Sequence, residues 1–172
     1  VREINIGFSK PNKWKPFSAI IRWLEKTDYS HVYVKVKTKW GTSLVYQASG
    51  HQVNFIGEKY FNEKITQVKE YKIWMEEPDY DESMKFCTTY CGAGYSVKQA
   101  IGVGLARIFK WKKNPFANGS DMFICSEFAL RFLGSILRKN DIIVNFELMS
   151  PKDVDLLIGD LIKKGIFYEY IS

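Results

Sequence analysis

The run His-Val-Tyr-Val-Lys-Val-Lys at residues 31–37 alternates strictly between apolar and other side chains. A two-residue period is the mark of a strand, because successive Cβ atoms point to opposite faces of a sheet. Val32, Val34 and Val36 therefore share one face, and His31, Tyr33 and Lys35 the other. Trp40-Gly41-Thr42 reads as a turn, Ser43 to Ala48 as a second strand, Ser49-Gly50 as another turn, and His51 to Phe55 as a third strand. Connections this short join only antiparallel neighbours, so the chain is built around an antiparallel meander. Ile4, Ile6 and Phe8 add a short strand before it, and Val68 to Trp74 one after it.

The remaining segments follow the helical period. Pro16 suits a first helical position, and Phe17, Ile20, Ile21 and Leu24 then mark one face of a helix ending near Thr27-Asp28. Gly57 to Lys64 is short and helical or irregular. Pro78 and Asp79 open a helix carrying Tyr80, Met84, Cys87 and Cys91 on one face, stopped by Gly92. Ser96 caps the next, which runs to about Lys110 with Val97, Ile101, Leu105 and Ile108 inward. A basic loop from Trp111 to Ser120 leads to a helix from about Cys125 to Lys139, with Ala129, Phe132, Leu133, Ile136 and Leu137 in its pattern. Ser150-Pro151-Lys152-Asp153 supplies an N-cap, a first-turn proline and a first-turn acid for a last helix ending at Gly165, and Phe167 to Ile171 closes as a strand. Strands and helices mix without regular alternation, which makes the fold α+β. The length, 172 residues with no repeat or long linker, points to one domain over 1–172.

Cys125 stands where a loop becomes an amphipathic helix. A helix N-terminus presents unpaired N–H groups and partial positive charge, which favour a thiolate and can hold an oxyanion. The alternative is a small buried apolar residue. A nucleophilic thiol needs a base, and His31, off the valine face at the start of a strand, can supply one; the alternative is an exposed or packed strand histidine. A third group usually orients the base. Gln47, in Val45-Tyr46-Gln47-Ala48, projects beside His31 if the two strands pair, and His51 is its rival. Tyr29 and Ser30, just before His31, and Ser126, just after Cys125, are the candidate substrate-binding positions.

Competing chemistries have less to stand on. Cys87, Cys91, Cys125 and a histidine can be imagined as a zinc site, but the usual Cys-x-x-Cys spacing is missing, so neither a metal nor a cofactor is expected. No glycine-rich phosphate loop supports nucleotide hydrolysis. The formal charge of +6 suits an anionic partner such as cell-wall polymer, lipid headgroup or nucleic acid, or serves solubility alone. Lys110, Lys112 and Lys113 cluster with Phe109, Trp111 and Phe116 as a rim beside Cys125. No apolar run approaches the ~20 residues of a membrane span. Three cysteines, an odd number, argue against a disulfide framework and for a reducing compartment, and with no signal-peptide core at residues 1–5 a cytoplasmic location is expected. The oligomeric state is not legible.

The order of these motifs resembles the circularly permuted papain-like amidases, relatives of the NlpC-type cell-wall endopeptidases and of lecithin–retinol acyltransferase. Tyr29-Ser30-His31-Val32-Tyr33-Val34 is similar to that family's Ser-His strand, and Val45-Tyr46-Gln47-Ala48 to the strand after it, where the family often has an acid before Ala. Phe123-Ile124-Cys125-Ser126-Glu127-Phe128 resembles its Cys-Ser-Glu helix start, and Ser150-Pro151-Lys152-Asp153 its Ser-Pro-x-Asp segment. The resemblance implies a permuted papain-like (NlpC-like) fold with an antiparallel sheet packed against helices. It also implies cysteine hydrolase chemistry through an acyl-cysteine intermediate, with Cys125 as nucleophile, His31 as base and Gln47 as third residue. The compact, tyrosine- and lysine-rich chain looks like a phage-encoded member. The implied substrate is a peptide or cell-wall-like amide. A lipid or thioester acyltransferase or deacylase of the same fold is the alternative, and a non-enzymatic module binding anionic polymer is a third.

Overall fold

The structure, a computed structural model, describes residues 1–117 and 122–167. Its elements run β1 (Arg2–Pro11), α1 (Pro16–Glu25), β2 (His31–Lys37), β3 (Ser43–Ser49), β4 (Gln52–Gly57), α2 (Glu58–Asn62), β5 (Ile65–Met75), α3 (Glu77–Tyr90), β6 (Gly94–Tyr95), α4 (Val97–Phe109), β7 (Met122–Phe123), α5 (Cys125–Phe132), α6 (Gly134–Lys139), a 3-10 turn (Phe146–Leu148) and α7 (Pro151–Lys163). The fold is α+β. The sheet order is β5-β1-β2-β3-β4-β6-β7, antiparallel except for the short β6–β7 pair. β2, β3 and β4 form the expected meander, with Val34 opposite Tyr46 and Tyr46 opposite Phe55.

The valine face builds the core. Val32, Val34 and Val36 join Ile4, Ile6 and Phe8 of β1 and Ile73 of β5 beneath α5, whose Phe128, Ala129, Leu130 and Phe132 have no exposed surface. Each large side chain buried in this way contributes about 1.5–3 kcal/mol. On the other face, Tyr33 packs with Val45 and Phe61. Its ring lies over Gly7, where a Cβ would fall 2.0 Å from the Tyr33 ring, so only glycine fits there. Below the ring, Glu70 accepts from Tyr33, Lys35 and Asn5.

Several expectations need correction. β1 is ten residues long and runs through Pro11, longer than the short strand expected at Ile4, Ile6 and Phe8. α1 ends at Glu25, because Lys26 turns left-handed with φ 52°. The helix expected over Cys125–Lys139 breaks at Leu133, just before Gly134, a poor helix former; the two pieces then pack separately, and Ser135 reaches Asp79. Cys87 and Cys91 do not share a face, since Cys87 is core and Cys91 sits exposed at the end of α3. α1 and α4 follow their sequence patterns only in part: Ile21, Leu24 and Leu105 are half-buried, but the rest of each apolar stripe is exposed. α1 buries Ser18 and Glu25, and α4 buries Gln99, Gly102, Val103 and Ala106, while Ile20, Val97, Ile101 and Ile108 face outward. Polar anchoring sets both rotations. Ser18 bonds Ser30 at 2.6 Å, Lys152 N–H donates to Glu25, and Gln99 donates to Glu127 at 2.7 Å. The end of the basic loop and the strand expected after Phe167 lie outside the described residues.

Candidate active site

α5 begins at Cys125 because the extended Ile124 ends the approach strand and the apolar positions of α5 meet the sheet. The helix lies across β2, so its first residue meets the beginning of that strand. The backbone N–H groups of Val32, Ser126 and Cys125 itself favour the thiolate. Val32 follows His31 directly, so the two side chains leave β2 on opposite faces, and Cys125 and His31 line separate cavities. Ser30 and Tyr95 are common walls of the cavity at Cys125 and the cavity at His31.

His31 Nε2 lies 2.8 Å from the side-chain oxygen of Gln47. The sheet register makes this contact. Val34 pairs with Tyr46, which carries Gln47 to the level of Tyr33, on the same face as His31 and one diagonal step away. The Gln47 amide nitrogen donates to Asn54 on β4 at 3.3 Å, which turns its oxygen toward the imidazole. An oxygen acceptor at Nε2 puts the ring proton there and leaves Nδ1 as the basic nitrogen. His51 lies exposed beside the Gly50 turn and gives its backbone oxygen to Tyr95 N–H. Among the described residues, no hydrogen bond joins His31 to Cys125.

Electrostatics differ from the sequence expectation. Burial pushes the Cys125 thiol up to about 11, against the N–H groups of Val32 and Ser126 that favour the thiolate, and the Glu25 carboxylate adds to the rise. Burial also pushes His31 down to about 4, against the hydrogen bond from Gln47, which raises it. The helix N-terminus does not overcome desolvation here, so near neutral pH the site holds a thiol and a neutral imidazole.

Ser30 lines the cavities, with its hydroxyl tied to Ser18. Ser126 is fully buried and donates to the Met149 carbonyl at 2.6 Å, which locks the first turn of α5. Tyr29 is turned into the core, packs on Phe8 and donates to Asp155 at 2.6 Å, so its placement is that of a structural anchor and not of a substrate contact. Three further residues enter the site that sequence reasoning missed: Glu25, Tyr95 and Arg107, all on the Cys125 cavity. Burial and the nearby Cys125 push the Tyr95 phenol up. Burial likewise raises the Glu25 carboxyl, against the Ser150 hydroxyl. Only the burial of Glu25 within an otherwise basic segment would have flagged it, and burial is not visible in a sequence. The rest of the lining, apart from Ser150, is apolar and includes Ile21, Leu24, Val103, Ile124 and Met149.

The zinc alternative loses its ligand set with Cys87 in the core and Cys91 on the surface; among the described residues no group of three or more His, Cys, Asp or Glu is arranged to hold a metal. Among the described residues no helix is long and apolar enough to cross a membrane.

No family model matches the chain, and no curated protein does.

Proposed function

We propose that this protein is a cysteine hydrolase that takes an acyl group onto Cys125, with His31 as base and Gln47 holding the imidazole. The observation that carries the reading is Cys125 at a helix N-terminus, in a cavity that shares Ser30 and Tyr95 with the cavity lined by His31, whose imidazole is held by Gln47. The element order, histidine on an early strand of the sheet and cysteine on a later helix, also supports the permuted papain-like reading.

The chemistry follows from the neutral resting pair. The thiol proton passes to His31 Nδ1 as sulfur attacks the substrate carbonyl, so the thiolate need not persist between turnovers. First-turn N–H groups of α5, which have no intrahelical partner, stabilise the oxyanion. The imidazolium then protonates the leaving amine, alcohol or thiol, leaving an acyl-cysteine. Water, deprotonated by His31, releases the acid and restores the thiol.

A peptide or cell-wall amide is one substrate class. The mostly apolar lining at Cys125 favours a second, in which the acyl group is a hydrocarbon chain carried by an ester, thioester or amide. The test offers the protein peptidoglycan fragments and a series of acyl thioesters of rising chain length, with released product and intact mass as readouts. We expect turnover with an acyl adduct on Cys125, and its loss in Cys125→Ala. Product release by peptidoglycan alone selects the amide. Equal activity in Cys125→Ala overturns the proposal.

A further inference from the structure

α1 and α4 meet at the Cys125 cavity: a Cβ on Gly104 would touch Leu24 at 3.7 Å, and both helices line the cavity wall. Besides Ile21, Leu24 and Val103, which line the cavity, each turns polar or small residues inward and leaves large apolar residues exposed. Ile20 is 52% exposed and Trp23 78% on α1; Ile101 is 43% and Ile108 54% on α4. At helical spacing Ile20 neighbours Leu24, while Ile101 and Ile108 flank Gly104, so the two exposed stripes border one seam. Phe17 and Val97 continue the apolar surface to the mouth of the His31 cavity. Phe109 at the end of α4 and Trp14 and Trp111 in the flanking loops are also exposed, Phe109 and Trp111 stacked on each other. An apolar surface of this kind, bordering a site, marks an interaction face.

Charge identifies the occupant. Segments 13–26 and 97–113 hold Lys13, Lys15, Arg22, Lys26, Lys98, Arg107, Lys110, Lys112 and Lys113, against the single acid Glu25, which is buried; of these bases Arg107 is paired with Asp153 of α7. Nine positive charges less one exceed the +6 of the whole chain, so the remainder is slightly acidic. A second copy docking on this face would set two strongly basic surfaces against each other. Exposed tryptophan, phenylalanine and isoleucine ringed by lysine and arginine, on helices too short to span a bilayer, match the interfacial region of an anionic membrane.

We infer that the α1–α4 face docks on an anionic lipid bilayer, seating the Cys125 cavity at the lipid surface. The inference deepens the acyl-cysteine reading, since it makes the substrate a membrane-resident acyl lipid, and only that last step rests on it. The test is co-sedimentation of the full chain with vesicles of phosphatidylcholine alone or with a third phosphatidylglycerol, in wild type, Ile20→Asn/Ile101→Asn, Ile108→Asn, Lys98→Glu/Lys112→Glu and Cys125→Ala proteins, with circular dichroism to check folding. Wild type is expected to bind the anionic vesicles at least tenfold more tightly than the neutral ones. The isoleucine and lysine variants should each lose at least tenfold while remaining folded. Cys125→Ala should bind as wild type does, so a failed catalytic reading leaves the vesicle result standing. No preference for anionic vesicles, variants that bind unchanged, or a concentration-dependent dimer abolished by Ile101→Asn would each overturn the inference.

Discussion

Gln47 meets His31 through a carbonyl oxygen at 2.8 Å, and that oxygen carries no full charge. Desolvation therefore prevails and the imidazole titrates at about 4. A group whose folded pKa lies below its unfolded value near 6.5 binds fewer protons folded than unfolded between those two values, so its contribution to stability is lost as pH falls from 6.5 to 4. Gln47→Glu places a carboxylate where the amide oxygen stands and raises the His31 pKa. The acid limb of the pH profile of kcat/KM, which marks protonation of the base, should move to higher pH by at least one unit. An unmoved limb would remove His31 as the base or Gln47 as its neighbour. The same substitution tests the departure from the acid often found at this position in the resembled family.

At the scale of elements, α4 depends on one close approach. A Cβ on Gly102 would fall 1.8 Å from the Asn114 side-chain oxygen. Asn114 cannot easily yield, because it donates to the Gln99 and Glu147 carbonyls and accepts from Phe116 N–H. Alanine gains helix propensity of about 1 kcal/mol over glycine, but displacing Asn114 forfeits three hydrogen bonds at about 1 kcal/mol each. Gly102→Ala should therefore destabilise by about 1–3 kcal/mol in urea unfolding. Gly104→Ala, on the same helix with only Leu24 in ordinary contact, should be neutral or stabilising. Equal effects at the two glycines would contradict the docking of the Asn114 loop on α4. That loop matters beyond stability, because the helix it braces forms one wall of the Cys125 cavity.

For the molecule as a whole, Asp155 ties α7 to the sheet. It accepts from Tyr29 before β2 and from Tyr71 on β5, both at 2.6 Å, and pairs with Lys69 at 2.7 Å. Burial pushes its carboxyl up, yet Lys69 and the two phenols hold it below the ordinary value of 3.8. A depressed folded pKa means the contribution is complete above 3.8 and disappears as pH falls through the folded pKa. Asp155→Asn should cost about 1–3 kcal/mol at neutral pH and flatten the loss of stability below pH 4, as read from urea midpoints against pH. The same network explains why Tyr29, adjacent to the candidate site in sequence, is turned away from it.

Local pattern alone decided the meander, the valine face, the Ser150 cap and the start of a helix at Cys125, because backbone periodicity and capping are written in neighbouring residues. It also brought Gln47 and His31 within reach, since strand register follows from short turns. Tertiary structure decided which way α1 and α4 face. Their apolar stripes promised burial, but only Ile21, Leu24 and Leu105 are half-buried, and hydrogen bonds made by Ser18, Glu25 and Gln99 to distant partners hold the helices in that rotation. It also decided the charge state of the site, because desolvation depends on what covers a thiol and an imidazole, and the covering residues Tyr95, Glu25 and Met149 come from three separate parts of the chain.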